Sequence, residues 1–482
     1  MRKAVKSITV DILLLSAYHI LTIERNISMN EREKFSSRLG FILISAGCSI
    51  GLGNVWRFPY IVGEYGGAAF VLVYLFFLVA IGLPIMAMEF SVGRASRKSV
   101  ASGFKVLQPE KTKWHLFGYV AMGGNYLLMM FYNTIGGWMI AYFFKMLKGK
   151  FDGVDSNQVE NIYHKMVESP QETVFWTIVV VVLGFGICSL GLKNGVERIT
   201  KVMMSSLFII MIILVVRSFT LPGMAEGLSF YLKPDFSKMA QAGIFNVISA
   251  AMGQAFFTLS IGMGSMQIFG SYIDKQRSLT GEALSIMALD TFVAILSGLI
   301  VFPACFSFGV SPESGPNLVF ITLPNIFNSM QGGRIWGTLF FAFMSFTALS
   351  TTIAVFENII SFAVDLWGTT RKKAVLFNLP AVIILSLPCA LGFNLLSDIQ
   401  PLGAGSTIMD LEDFIVSNNI LPLGALVYVA FCVTKHGWGW ENFYNEVNTG
   451  KGIHYPSWLK NYLKYVIVPV VLFIFVQGYI SI

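Results

Sequence analysis

Between Gly47 and Pro59 the chain reads GCSIGLGNVWRFP, which sets Gly47, Gly51, Gly53, Asn54, Arg57 and Pro59 inside an apolar stretch long enough to cross a bilayer. In hydrocarbon every backbone N–H and C=O needs a partner, so a glycine-rich interruption survives only where it is buried in protein or lines a cavity. The groups it frees can then bind ligands. N–H groups opening one half of a broken helix suit a carboxylate, and carbonyls ending the other half suit a cation. A second interruption, SIGMG from Ser260 to Gly264, falls in another apolar segment about halfway along the chain. Two broken spans in corresponding halves imply a secondary transporter whose site lies where they meet.

Other chemistries find less support. No nucleophile, base and orienting group recur together, so the chain does not read as an enzyme. Cys48, Cys188, Cys305, Cys389 and Cys432 lie in or beside apolar segments without a C-x-x-C pair and read as buried thiols. The five histidines show no ligand spacing, so no metal centre of the zinc type is expected. There is no G-x-x-x-x-G-K-[ST] loop, which argues against an ATP-driven pump within this chain.

Composition dictates the elements that must hold the two breaks. With 55% hydrophobic and 13% charged residues and a mean hydropathy of +0.67, the chain is too apolar for a soluble protein and reads as an all-α polytopic membrane protein. Spans of about 20 apolar residues begin near Leu39, Ala69, Phe117, Val174, Val202, Ile244, Leu284, Trp336, Val375, Phe414 and Tyr465, giving eleven. The connection from Arg94 to Lys113 carries Arg94, Arg97, Lys98, Lys105, Lys111 and Lys113 against Glu110 alone, which places it in the cytoplasm. Lys193, Arg198 and Lys201 fall on the same side, as do Lys275 with Arg277, Arg371 to Lys373, and Lys435 to Lys464. The acidic segment from Asp398 to Asp413 and the polar loop from Lys148 to Glu172 fall outside. The N-terminus is therefore expected in the cytoplasm and the C-terminus outside, in a plasma membrane of bacterial type. Net charge +7 follows from these loops and is no nucleic-acid signal. Residues 1–28 read either as an extension from a misassigned start upstream of Met29 or as a peripheral helix.

The segment SSRLGFILISAGCSIGLGNVWRFPYIVGEYGGAAF resembles the neurotransmitter:sodium symporter family, whose bacterial members include amino-acid transporters of the LeuT type. The resemblance runs from about Arg32 to the last span and includes GQAFFTLSIGMGSM, LVFITLPNIF and SFTALSTTIAVFENIISFAVD. It implies a LeuT-type 5+5 inverted repeat with broken helices 1 and 6, plus one additional span. The corresponding divisions are an N-terminal segment 1–38, a first repeat 39–220, a second repeat 221–434, and a loop with the eleventh span in 435–482. Some relatives have twelve spans.

By the same resemblance the substrate is an amino acid, a zwitterion. Leu52 and Gly53 N–H groups and the Tyr132 hydroxyl would hold its carboxylate, while carbonyls of Ser49, Phe257, Thr258 and Ser260 would face the ammonium. Leu128, Met263, Thr351 and Val355 complete the expected pocket, with Phe257 as an aromatic lid and Met263 as a flexible wall. Two Na+ ions are implied. The first would use Ser49, Asn54, Thr258 and Asp290 with the substrate carboxylate, the second Gly47, Ile50, Thr347, Ser350 and Thr351. An oxygen-only set suits a hard cation. Gates are expected between Arg57 and Asp413 outside and between Arg32 and Asp365 inside.

Asp290 departs from the pattern. It stands where many relatives carry asparagine or another neutral residue, and an ionisable residue within a span is functional by default. Its charge is expected to substitute for the chloride that other members hold near the positions of Tyr74, Gln254 and Thr258, so no chloride requirement is expected. The reading is sodium-coupled uptake of amino acids, hydrophobic or aromatic, by alternating access. A proton-coupled carrier on the same fold and a non-transporting amino-acid sensor are the alternatives. Membrane lipid is the expected surroundings, and nothing in the sequence fixes the oligomeric state.

Overall fold

A span in lipid must satisfy its backbone internally, and a computed structural model of the chain, described here for residues 33–310 and 317–480, is accordingly helical. Among these residues the β-structure is limited to an isolated bridge between Arg277 and Lys451. Eight helices are individually long and apolar enough to cross a membrane: Ala68–Ser96, Leu116–Leu147, Pro170–Ser189, Leu192–Ser218, Leu279–Ser307, Gly333–Trp367, Arg371–Leu391 and Ile408–Val433. The first span consists of two helices, Arg38–Ser49 and Gly53–Glu64, bent by 55° at their junction. The sixth is likewise divided, into Ile244–Thr258 and Ser265–Ser271. Residues 459–480 are continuously helical. Every apolar segment read from the sequence is thus a helix, and the two glycine-rich breaks interrupt the two spans expected. Phe35–Ile482 form one unit. Arg32, the expected cytoplasmic partner of Asp365, lies outside the described residues, as do residues 1–28.

Sidedness along the helices is that of a bundle in lipid. On Leu192–Ser218 the residues Val202, Ile209, Ile213 and Val216 form an exposed apolar stripe while Met204, Leu207 and Met211 are buried. Lipid offers no hydrophobic drive for helices to associate, so close packing must supply it. Small residues do so at the breaks. A Cβ on Gly93 would lie 1.9 Å from the Gln267 carbonyl oxygen and one on Gly270 2.5 Å from that of Phe90, so the second span and the inner half of the sixth touch backbone to backbone. A Cβ on Gly424 would lie 1.6 Å from the Gly262 carbonyl oxygen, so the tenth span is pressed equally closely against the second break.

The end of the bundle rich in Lys and Arg, called the basic end below, is stitched by ion pairs. Arg94 is fully buried, pairs with Glu446 at 2.6 Å and donates to the Arg277 carbonyl at 2.7 Å. Lys275 reaches the other Glu446 oxygen at 3.0 Å. Arg371 pairs with Glu357 at 2.7 Å, and the Tyr272 hydroxyl donates to the same carboxylate at 2.7 Å. Arg38 pairs with Glu282 at 2.9 Å and Lys201 with Glu197 at 2.7 Å. Asp365 accepts from the Ser99 N–H at 2.7 Å and faces the Lys98 ammonium at 3.5 Å.

Candidate substrate and cation sites at the helix breaks

After Ser49 the first span unwinds through Ile50, whose backbone is extended, and resumes at Gly53 with a widened turn in which the Phe58 N–H reaches back to the Gly53 carbonyl. Such widened turns recur at functional sites. Most of the groups freed here find a named partner. The Gly51 N–H donates to Asn54 Oδ1 at 3.0 Å, and the Leu52 N–H to the Tyr132 hydroxyl at 3.2 Å. Gln254 donates to the Gly53 carbonyl at 2.8 Å and Ser297 to that of Asn54 at 2.7 Å. The Ser260 hydroxyl donates to the Cys48 carbonyl at 3.3 Å, so the two breaks meet.

The second break is built differently. Ser260, Gly262 and Gly264 all have positive φ (51°, 101° and 76°), a conformation in which glycine carries no penalty. Its freed N–H groups are held by protein. Buried Glu89 accepts from Gly262 at 2.5 Å and from Met266 at 3.1 Å.

A small cavity sits where the breaks cross, with about 20 Å³ open to water centres, lined by Cys48, Ser49, Gly51, Leu52, Gly53, Leu128, Tyr132, Phe257, Ser260, Met263, Thr351, Val416 and Leu421. Most of the expected pocket residues are therefore here. Thr258 is not on the lining, because its hydroxyl turns away to Asp290 Oδ2 at 3.0 Å, and Val355 is buried one turn beyond Thr351. Cys48, Gly51, Val416 and Leu421 line the cavity without having been expected to. Gly51 has no room for a side chain, since a Cβ would lie 2.9 Å from the Tyr132 hydroxyl and 3.0 Å from that of Thr351. Val416 and Leu421 come from a second widened turn, in the tenth span.

Two oxygen-rich clusters flank the cavity. In one, the Thr351 hydroxyl lies 3.1 Å from the Gly47 carbonyl, 3.2 Å from that of Ile50 and 3.5 Å from that of Thr347. Ser350 bonds to the same Thr347 carbonyl at 2.9 Å. One hydroxyl proton cannot satisfy three carbonyls, so this cluster retains acceptor capacity that a hard cation fits. In the other, Asn54 donates to Asp290 Oδ1 at 2.9 Å and to its carbonyl at 3.1 Å, while Thr258 holds Oδ2. Asn54, Thr258 and Asp290 are all fully buried. Fully buried Tyr74 and Gln254 lie beside this cluster, and the Tyr74 hydroxyl and the Gln254 Oε1 have no hydrogen-bond partner among the described residues. Ser49, the remaining residue expected at this cation site, lies instead on the cavity wall.

Above this cavity lies a larger vestibule of about 140 Å³ on the same measure, lined by Leu52, Trp56, Arg57, Tyr60, Phe131, Tyr132, Ile135, Phe257, Met409, Asp410 and Asp413. Leu52, Tyr132 and Phe257 belong to both walls and separate the two spaces. Arg57 and Asp413 face this vestibule but do not pair. The guanidinium stacks on the Phe257 ring at 4.7 Å, and Asp413 accepts from Ser417 at 2.6 Å.

The model of the Sodium:neurotransmitter symporter family matches residues 32–161 and 156–482. An uncharacterized sodium-dependent transporter of Haemophilus influenzae is 34% identical over 466 residues, covering 93% of this chain and 98% of its own length. The uncharacterized sodium-dependent transporter YhdH of Bacillus subtilis is 33% identical over 443 residues, covering 92% and 96%. Among solved structures, MhsT in complex with L-phenylalanine superposes with a TM-score of 0.83 at 35% identity, over 93% of this chain and all of that one. The helical architecture with its two broken spans is thus the LeuT-type fold, and the chain belongs to the sodium:neurotransmitter symporter family of sodium-dependent transporters, not to a family of enzymes.

Proposed function

We propose that the protein couples the entry of two Na+ ions to the uptake of a hydrophobic or aromatic amino acid. The observation that carries the reading is the convergence of the Leu52 N–H, the Tyr132 hydroxyl and the Thr351 oxygen cluster on one cavity at the crossing of the breaks. A substrate carboxylate would replace the Tyr132–Leu52 bond with two charge-assisted ones, while its side chain would rest against Leu128, Phe257, Met263, Val416 and Leu421. The L-phenylalanine held by MhsT supports a substrate of this class. The cavity as seen here is too small for such a side chain, so binding must displace its walls, and Met263 and Phe257 are the adaptable ones.

One ion would sit among Gly47, Ile50, Thr347, Ser350 and Thr351, the other among Ser49, Asn54, Thr258, Asp290 and the substrate carboxylate. Sharing that carboxylate is what would couple cargo to ion. The ionised Asp290 would supply the negative charge that makes chloride unnecessary. The basic end is assigned to the cytoplasm and the vestibule to the outside. Two charges moving inward gain about 4.6 kcal/mol per 100 mV, enough for roughly a thousandfold accumulation.

The test is uptake of labelled amino acids into proteoliposomes driven by an inward Na+ gradient, in chloride and in gluconate. Uptake in both buffers is expected, with Asp290→Asn impaired and partly restored by chloride. Binding without uptake would favour a sensor. Uptake driven equally by a proton gradient without Na+ would favour the proton-coupled alternative.

A further inference from the structure

Glu412 lies on the outer part of the tenth span, which packs against the third and ninth spans. It is 3% exposed, and neither carboxyl oxygen has a hydrogen-bond partner among the described residues. From the ninth span the Cys389 thiol faces it, and beside that thiol is Thr134 of the third span, whose hydroxyl is likewise unpartnered. Among the described residues no cation is paired with it; on its own helix Asp410 accepts from the Thr407 N–H and hydroxyl and acts on the Cys389 thiol, Asp413 accepts from Ser417, and both aspartates line the vestibule with Arg57 and Tyr60. The other buried carboxylates described above are each held: Glu89 by backbone N–H groups, Glu282, Glu357 and Glu446 by arginine, Glu197 by Lys201, Asp290 by Asn54 and Thr258.

Burying a carboxylate costs several kcal/mol and a thiol is only a weak donor to it, whereas the carboxylic acid is a neutral group whose single proton can turn toward the thiol or hydroxyl beside it. We infer that Glu412 is a proton-binding site: its protonated form is the one that packs against the third and ninth spans, and loss of the proton to water favours separation of that helix end. The helix end so controlled is the vestibule wall formed by Met409, Asp410 and Asp413. External acid therefore holds this wall in place and external alkali loosens it. Only this last step rests on the transporter reading.

The first experiment needs no transport. Thermal unfolding of the purified full chain in detergent is followed from mildly acidic to alkaline pH for the unmodified protein, Glu412→Gln and Glu412→Leu. The native state binds the extra proton, so stability conferred at low pH is lost as pH rises. The unfolding constant of the unmodified protein relative to Glu412→Gln should climb by up to about tenfold per pH unit above the pH at which the carboxyl ionises in the unfolded chain, and level off once it also ionises in the native protein. Glu412→Leu should match Glu412→Gln in lacking that climb. Parallel profiles for the unmodified protein and Glu412→Gln would overturn the proton site, and a Glu412→Leu protein unstable at every pH would mean that the carboxyl makes a structural hydrogen bond instead. In proteoliposomes, Na+-driven uptake should fall with rising external pH in the unmodified protein and lose that fall in Glu412→Gln. An unchanged pH profile in the variant would overturn control of the vestibule, and absence of uptake in all three proteins would count against the transporter reading alone.

Discussion

At the basic end, Arg94, Glu446, Lys275 and the Arg277 carbonyl form a buried knot, and Arg371, Glu357 and Tyr272 form another. At the opposite end Arg57 and Asp413 face a common vestibule, yet one stacks on Phe257 and the other bonds to Ser417. The first end is held together by desolvated charge pairs that are expensive to break, whereas at the second three side chains, Leu52, Tyr132 and Phe257, part the vestibule from the cavity. The difference teaches where the conformational energy is stored. A rim ion pair is worth about 0 to 1 kcal/mol, so closing the vestibule through Arg57 and Asp413 would be nearly neutral, whereas parting the basic end must be driven.

The sharpest way to break this comparison is to strand one charge of the buried knot. Arg94→Met leaves Glu446 with Lys275 alone and should cost about 3 to 5 kcal/mol, read as thermal stability in detergent. Adding Glu446→Leu should recover much of the loss, and a negligible effect of the single change would show that the knot does not stabilise this end. Next in size is Gly53→Ala. Its Cβ would lie 2.8 Å from the Phe257 ring, so the ring must shift and the partition between cavity and vestibule is disturbed. Overpacking of this kind costs about 1 to 3 kcal/mol, which should appear as lowered thermal stability in detergent, and an unchanged stability would show that the ring yields freely.

Thr351→Val comes third. It keeps the shape but removes the hydroxyl beside the Gly47, Ile50 and Thr347 carbonyls, and a lost ligand of this kind is worth on the order of 1 kcal/mol. The Na+ concentration for half-maximal uptake should rise several-fold, and an unchanged Na+ dependence would remove Thr351 from the cation site. The smallest effect is expected of Asp413→Asn, which should alter stability by less than about 0.5 kcal/mol because no ion pair is lost. A large destabilisation there would mean that Arg57 and Asp413 are coupled after all.

The breaks were legible in the sequence because glycine inside hydrocarbon has few explanations, whereas the hydroxyls from Thr347 to Thr351 drew notice only through the family resemblance, since a Ser/Thr run in a span usually bonds back to its own carbonyls. Thr351 indeed meets Gly47 and Ile50 across the bundle. Val416 and Leu421 could not be found this way. They are ordinary apolar residues in an apolar helix, and what brings them to the cavity is a widened turn with no mark in composition. Cys48 was read as a buried thiol, which it is, but one position before Ser49 also places it on the cavity wall. Arg57 and Asp413 line one vestibule, and nothing in their sequence positions indicates that one stacks on Phe257 and the other bonds to Ser417.

The grip of Glu89 on Gly262 and Met266, together with the Gly93 and Gly270 contacts, divides the molecule mechanically. The second span and the inner half of the sixth have no slip plane between them and must travel as one piece. Since Arg94 and Arg277 ride on that piece or the loop following it, Glu446 can travel too, and its knot need not open. The seam that must tear when the basic end opens is then the one to the eighth span, where Tyr272 meets Glu357 and Ser99 meets Asp365. A crosslink across that seam would lock the machine, while one between the second and sixth spans would leave it running.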